Sequence, residues 1–163
     1  MAQYTGKVWV LGDDIDTDII IPTEYLALKT IEDMKQYGFS PLRPELAGQI
    51  KPGDIIVAGK NFGCGSSREQ APEVIKALGI PCIIAKSFAR IFYRNALNNG
   101  LLLLEQPELH DVVKEGDTIT VTVNEDVEYN GKKYPIASLP ENLMEIIEAG
   151  GLVKAMHRRN GLD

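Results

Sequence analysis

The residue types best suited to chemistry lie in one short segment, residues 59–69, which reads Gly-Lys-Asn-Phe-Gly-Cys-Gly-Ser-Ser-Arg-Glu. Its glycines allow backbone conformations with positive φ and a close approach of the chain to a ligand. Ser66 and Glu69 have the spacing of a capping box, which predicts that a helix begins there. A helix N-terminus attracts anions, and the planar cation of Arg68 suits a carboxylate or phosphate. The segment therefore predicts a small anion site with a serine hydroxyl beside it.

This glycine-rich segment does not match the common nucleotide-binding patterns. It lacks the third glycine of the dinucleotide fingerprint, and the Walker pattern fails because Asp54 replaces its first glycine and Asn61 its serine or threonine. A nucleophile elbow of the G-x-S-x-G type is also absent around Ser66. On local chemistry alone, a turn that caps a helix and binds no ligand is an equally good interpretation.

A second polar segment, residues 14–18, has aspartates at every other position, as in a calcium-binding loop. Ile19 and Tyr25 stand where an EF-hand needs its glycine and its glutamate, so a calcium site of that type is excluded. Two interpretations remain open. The segment is either an acidic turn held by its own side-chain hydrogen bonds, or a turn in which Thr17 and an aspartate bind a ligand hydroxyl or orient an arginine.

Residues that bind metals are too sparse for a metal centre built by this chain alone. Among 163 residues there are two cysteines, Cys64 and Cys82, and two histidines, His110 and His157. An iron–sulfur cluster usually takes four thiolates, and two cysteines are also too few for a disulfide framework. Cys64 has no histidine near it in sequence that would activate a thiolate, so a small residue in a turn is the better interpretation. We expect no metal or cofactor on this chain, and any metal chemistry would need a second chain.

The elements around these segments alternate between strands and helices. Short apolar runs predict strands at residues 7–12, 54–59, 81–85 and 101–104. Helices are predicted between and after them, over residues 67–78, 88–99 and 139–149. Alternating residues and an Asn-Gly turn predict antiparallel strands between residues 118 and 136. This order of elements indicates an α/β fold with a mixed sheet flanked by helices.

Composition and charge limit the classes of function. Charged residues make up 25% and hydrophobic residues 44% of the chain, which is typical of a globular protein with a real core. We expect one domain over residues 1–163, with a mobile polar tail from about residue 155. A net charge of −6 disfavours a nucleic-acid surface, which is normally basic. Without an apolar run of membrane-spanning length or a recognisable signal peptide, we expect a cytoplasmic protein with no membrane contact.

Three blocks of sequence, at residues 14–22, 61–72 and 86–92, carry a resemblance to a known family. In this order they resemble the swivel domain of the aconitase superfamily. The chain is similar in particular to the separate small subunits of the isopropylmalate dehydratase family, over nearly its whole length. The resemblance implies a swivelling β/β/α domain that closes over a large subunit carrying a [4Fe-4S] cluster, in a heterodimer or a heterotetramer.

The resemblance also implies a reaction and a role for each site residue. The reaction is the dehydration and rehydration of a small dicarboxylate, from 2-isopropylmalate through 2-isopropylmaleate to 3-isopropylmalate, in leucine biosynthesis. Ser66 matches the catalytic base that takes a proton from the carbon next to a carboxylate, while the partner's cluster acts as a Lewis acid on the departing hydroxyl. Arg68 matches the arginine that binds the substrate carboxylate. Supporting positions in the same pocket would be Ser67, Asp16, Thr17 and Asp18.

A free serine is a very weak base, so this role for Ser66 requires strong stabilisation of its alkoxide. The predicted helix start, nearby backbone N–H groups and Arg68 are the candidates that the sequence offers. Arg90, in the third block, is expected to have only a structural or supporting role.

A loop after the first block is expected to select the substrate, and it contains Leu26, Ala27, Leu28 and Lys29. Homoaconitase-like relatives resemble Tyr-Leu-Arg-Thr at this place, where the arginine meets an extra carboxylate. Ala27 and Leu28 instead suit an isopropyl group. The loop also departs from the Tyr-Leu-Val pattern common in isopropylmalate enzymes. Homoaconitase, citramalate dehydratase and 2,3-dimethylmalate dehydratase therefore stay open as alternatives, as does a non-catalytic anion-binding module.

Overall fold

The computed structural model describes residues 3–159, along which strands and helices alternate. The strands are β1 (Gln3–Val10), β2 (Ile55–Ala58), β3 (Cys82–Ala85), β4 (Leu102–Glu105), β5 (Thr118–Thr122), β6 (Asp126–Tyr129) and β7 (Lys132–Pro135). The helices are α1 (Thr17–Ile20), α2 (Ile31–Lys35), α3 (Leu46–Gln49), α4 (Gln70–Ala77), α5 (Arg90–Asn98), α6 (Leu109–Val112), α7 (Glu141–Ala149) and α8 (Leu152–Arg159). A short 3₁₀ helix, Thr23–Ala27, follows α1.

All seven strands join one sheet in the order β4-β3-β2-β1-β5-β6-β7. Neighbours from β4 to β1 pair parallel, whereas β1, β5, β6 and β7 pair antiparallel. This arrangement confirms the predicted α/β fold with a mixed sheet. Because β1, β2 and β3 are parallel neighbours, their carboxyl ends lie at the same edge of the sheet, and the three sequence blocks follow those ends.

Alternate residues of the parallel strands belong to two separate hydrophobic clusters. Ile56 and Ile83 pack with apolar residues of α1 to α5, whereas Ile55 and Ile84 pack with those of β5, β6, β7 and α7. Every residue of β2 and β3 is buried. Strands that are covered on both faces read as continuous apolar runs, which is why the sequence located them.

The helix after the glycine-rich segment begins later than the sequence predicts. Its first residue is Gln70, with Glu69 as N-cap, and no side chain caps it. The predicted capping box between Ser66 and Glu69 is therefore wrong. Gly63 and Gly65 have φ values of +85° and +89°, so the residues before α4 form an open turn rather than a first helical turn.

The sequence analysis missed two helices in the C-terminal third of the chain, α6 and α8. Gly150 and Gly151 end α7 with φ values of +89° and +142°, and α8 follows them directly. Residues 155–159 of the predicted mobile tail belong to α8, while residues 160–163 lie outside the described residues, so the mobility stays a prediction. No helix within residues 3–159 is long and apolar enough to cross a bilayer.

Candidate active site

The three sequence blocks meet at the carboxyl ends of β1, β2 and β3. The N–H of Gly63, in the second block, donates to the carbonyl of Ile15 in the first block at 2.7 Å. The N–H of Phe62 donates to the carbonyl of Ser87 at 3.1 Å, and the N–H of Ala89 donates to the carbonyl of Phe62 at 2.9 Å. These main-chain bonds join segments that are distant in sequence. The carboxyl edge of parallel strands is a common place for ligand sites.

Gly63 brings the second block against the third. A Cβ at this position would lie 2.2 Å from Cγ of Phe92, and φ is +85°. The ring of Phe92 stands edge-on to Phe62, with ring centroids 5.4 Å apart. Only glycine satisfies both the backbone conformation and the contact, which gives a physical reason for this glycine in the motif.

Thr17 fixes the main chain of the candidate base. Thr17 is only 2% exposed, and its hydroxyl donates to the carbonyl of Ser66 at 2.7 Å. Its N–H donates to the carbonyl of Cys64 at 3.0 Å. The side chains of Ser66 and Ser67 stay exposed. The first block therefore holds the turn by its backbone and leaves the serine hydroxyls available to a substrate.

Arg68 is held by the first block and by the residue that follows it. Its guanidinium donates to the carbonyl of Ile21 at 3.0 Å and to the hydroxyl of Thr23 at 2.7 Å, and it forms a 2.6 Å ion pair with Asp18. The Arg68 side chain is only 13% exposed. Asp16 instead caps α1, accepting a backbone N–H of that helix at 2.9 Å. Both interpretations of the acidic turn are therefore partly right, since Asp16 caps a helix and Asp18 orients Arg68.

A cavity of about 230 Å³ opens where the blocks meet. The predicted site residues in its wall are Thr17, Ser66, Ser67 and Arg68. Helix α5 also lines it, with Arg90 and Ile91 in its first turn and Asn95 in its second. The sequence analysis gave Arg90 a supporting role and gave Ile91 and Asn95 none. One signal could have located them: the third block follows a parallel strand, so its helix must begin at the same edge of the sheet as the glycine-rich turn.

The four residues of the predicted selectivity loop lie beside the cavity rather than in its wall. Leu26 and Leu28 pack against the hydrophobic cluster under the helices, whereas Ala27 and Lys29 are exposed. Within residues 3–159 none of the four is among the residues lining the cavity. The loop connects to the site through Thr23, at the start of the same 3₁₀ helix, which binds Arg68.

The two cysteines have environments that oppose reactivity. Burial and the neighbouring Asp16 and Asp14 raise the pKa of the Cys64 thiol, the opposite of what a nucleophile requires. Complete burial raises the pKa of Cys82 to about 12, and this residue lies inside β3. These thiols do not fit an iron–sulfur cluster. In the described part of the chain, no three histidine, cysteine or acidic side chains are grouped to hold a metal ion.

A larger cavity, of about 540 Å³, lies near the carboxyl ends of α4 and α5 and the start of α8. Lys76 lines this cavity, and its amino group donates to the carbonyls of Asn99 and Gly150, both at 2.7 Å. Burial and the neighbouring Lys154 lower the pKa of Lys76. We assign this lysine to holding helix ends together, because its donors already satisfy carbonyls that α5 and α7 leave unpaired.

Comparison with known proteins agrees with this geometry. The family described as the Aconitase C-terminal domain matches residues 24–109. The 3-isopropylmalate dehydratase small subunit of Lachnospira eligens is 79% identical over 161 residues, or 99% of this chain and 98% of the relative. The isopropylmalate/citramalate isomerase small subunit of Methanocaldococcus jannaschii is 46% identical over 157 residues, or 94% of each chain. A crystal structure of 3-isopropylmalate dehydratase from the same organism is similar with a TM-score of 0.93 and 39% identity, covering 99% of this chain and 97% of that one.

Proposed function

Because the chain belongs to the family of 3-isopropylmalate dehydratase small subunits, within the Aconitase C-terminal domain family, we propose that its cavity is the small-subunit half of an active site. The enzyme is a hydro-lyase of leucine biosynthesis that works as a heteromer with a large subunit. One observation carries the proposal for this chain: the exposed Ser66 lies in the wall of a cavity that all three sequence blocks share. In the isopropylmalate reaction, Ser66 acts as the base.

The proton transfer that we assign to Ser66 runs in both directions. In dehydration, the Ser66 alkoxide takes the proton from the carbon next to a substrate carboxylate, so that the C–H bond breaks and an O–H bond forms on Ser66. The electron pair of the C–H bond becomes the C=C bond, and the C–O bond on the neighbouring carbon breaks to release hydroxide. In rehydration the Ser66 hydroxyl returns its proton to one alkene carbon while hydroxide adds to the other, which regenerates the alkoxide. Thr17 supports this role. Its hydrogen bond to the Ser66 carbonyl fixes the main chain of Ser66, so that the hydroxyl oxygen of Ser66 keeps its position between the two half-reactions.

The Ser66 alkoxide needs hydrogen-bond donors that stabilise its charge, and the structure offers these donors in a different order of importance from the sequence analysis. The N-terminus of α4 begins four residues after Ser66, and Arg68 shares its charge with Asp18. Gly65 and Ser67 form no hydrogen bond to another residue within 3–159, so their N–H groups are free to donate. We assign the stabilisation mainly to these N–H groups and to the first turn of α5 in the cavity wall, with Arg68 in a carboxylate-binding role.

The large subunit is proposed to supply the rest of the site, including the [4Fe-4S] cluster that the family resemblance implies. The cysteines of this chain do not fit such a cluster, so no step on this chain is assigned to it. The swivelling closure of this domain over the partner, a heterodimeric or heterotetrameric assembly and a cytoplasmic location belong to the same proposal.

The proposed substrate is 2-isopropylmalate, because Ala27 stands where homoaconitase-like relatives carry the arginine that meets a third carboxylate. Citramalate is the second candidate. It is favoured by the name of the 46% identical relative from Methanocaldococcus jannaschii. The rates that the reconstituted pair reaches with 2-isopropylmalate and with citramalate, compared at equal enzyme concentration, decide between them.

The Ser66→Ala variant tests the proposed function in the reconstituted pair. Loss of a base is expected to lower kcat by about 10²- to 10⁴-fold, with KM little changed. Ser67→Ala removes the neighbouring hydroxyl and serves as the control, with an expected effect on KM rather than on kcat. Wild-type kcat in the Ser66→Ala pair would exclude Ser66 as the base and favour a non-catalytic anion-binding role for the cavity.

A further inference from the structure

Arg90 is the arginine of the cavity that has no partner. It begins α5, lies in the cavity wall and is exposed. Within residues 3–159 its side chain forms no hydrogen bond, ion pair or ring contact. Arg68, the other arginine of the wall, already binds the carbonyl of Ile21, the hydroxyl of Thr23 and the carboxylate of Asp18.

The charge balance of the cavity makes this difference important. A dicarboxylate brings two negative charges into the site, and both need cations or strong donors when water is excluded. The positive charge of Arg68 is already opposed by Asp18 at 2.6 Å. Arg68 alone therefore leaves most of the charge of the substrate uncompensated on this side of the site. Among the wall residues that the structure describes, Arg90 is the other cation.

We infer that Arg90 is a second carboxylate-binding residue of this site, which contacts one carboxylate of the dicarboxylate while Arg68 contacts the other or positions the turn. The inference rests on the proposed function, because it names how the same cavity holds its substrate. It differs from the supporting role that the sequence alone indicates for Arg90. A guanidinium with free donors pairs well with a carboxylate, because two parallel N–H groups match its two oxygens.

The same helix provides a matched control. Arg94 lies one turn after Arg90 on α5, is exposed, and is not in the cavity wall. Arg90→Gln and Arg94→Gln remove the same charge from the same helix. A general effect of net charge on substrate attraction would therefore appear equally in both variants, whereas a direct contact would appear in Arg90→Gln alone.

The first measurement is steady-state kinetics of the reconstituted pair at saturating large subunit. We expect Arg90→Gln to raise KM for 2-isopropylmalate by about 10- to 100-fold, the usual effect of losing a hydrogen-bonded charged partner. Arg94→Gln should change KM by less than about twofold, as for a solvated surface charge, and Arg90→Lys should recover part of the loss. An unchanged KM in Arg90→Gln would overturn the inference.

The second measurement separates this inference from the proposed function, because it needs no turnover. Pairs that contain the Ser66→Ala subunit, with and without Arg90→Gln, are titrated calorimetrically with isopropylsuccinate, a dicarboxylate that cannot be dehydrated. Weaker binding with Arg90→Gln supports the contact even if Ser66 proves not to be the base. Equal binding would overturn the inference. A loss explained by a shifted midpoint for assembly with the large subunit would also overturn it, and would assign Arg90 to the subunit interface.

Discussion

Thr17 touches the candidate base only through the main chain, yet it is one of the most buried polar residues of the molecule. Its exposed fraction is 2%, and its hydroxyl donates to the Ser66 carbonyl at 2.7 Å. Loss of this partly buried hydrogen bond is costly, because it removes a donor from the carbonyl and leaves the buried side chain of residue 17 without its polar contact. We therefore assign Thr17 a positioning role, in which the first sequence block fixes the geometry of the second.

Thr17→Val keeps the shape of the side chain and removes the hydroxyl. We expect a loss of about 1 kcal/mol in the free energy of unfolding and a fall of about tenfold or more in kcat, because a small displacement of the base slows proton transfer. Urea unfolding of the chain and kinetics of the reconstituted pair measure the two effects. Thr17→Ser keeps the hydroxyl and should stay near wild type in kcat. If Thr17→Val loses stability but keeps full kcat, Thr17 is structural only.

For single residues, the sequence identified the candidate site residues but not the contacts between them. Ser66 and Arg68 stand out because a glycine-rich turn with a hydroxyl and a cation is an unusual combination. An aspartate that orients an arginine was one of the two open interpretations of the acidic turn, and the structure identifies the pair as Asp18 and Arg68. Which arginine of α5 meets the cavity is set by packing: residues four apart share a helix face, yet Arg90 lies in the cavity wall and Arg94 does not.

Among the elements, the glycine-rich turn depends on a contact with α5. Gly63→Ala would place a Cβ 2.2 Å from Cγ of Phe92 at a φ of +85°. A positive φ costs a non-glycine residue about 1 kcal/mol or more, and the clash adds the cost of moving a buried ring. We expect a loss of more than about 2 kcal/mol in the free energy of unfolding, together with lower kcat as the turn shifts. Urea unfolding and kinetics of the reconstituted pair measure both.

A second glycine separates the two contributions. Gly116 also has a positive φ, +94°, and a Cβ there would meet nothing within 4 Å. Gly116→Ala therefore carries the backbone penalty without the clash, and the difference between the two variants measures the contact with Phe92. Equal losses in both variants would mean that α5 moves aside freely, so that the turn and the helix are not coupled.

The elements that the sequence predicted well are those whose pattern is set by burial alone. Strands β2, β3 and β4 read as apolar runs because both faces of the sheet are covered. The start of α4 was wrong, because the spacing of Ser66 and Glu69 fits a capping box whereas the positive φ of Gly63 and Gly65 holds an open turn. Helix α8 was missed because the two glycines after α7 read as the end of regular structure, and tertiary packing overrides that local signal.

The whole chain presents its cavity at one edge of the sheet, with the serine hydroxyls exposed and with cysteines that do not fit a cluster. These features agree with a subunit that supplies a base and carboxylate-binding groups but not a complete site. Assembly and chemistry should therefore be separable, since the proposed base, Ser66, is exposed and is not part of the hydrophobic core. A subunit without this hydroxyl is expected to fold and to bind its partner normally.

Mixing experiments test this separation directly. The chain alone should show no isomerisation of 2-isopropylmalate, and activity should appear and saturate as it is added to a fixed amount of cluster-loaded large subunit under anaerobic conditions. When wild-type and Ser66→Ala small subunits are present in equal amounts at saturation, the rate should fall to about half, because both compete for the same partner with similar affinity. An unreduced rate would mean that the variant fails to assemble. Turnover by the small subunit alone would contradict the division of the site between two chains.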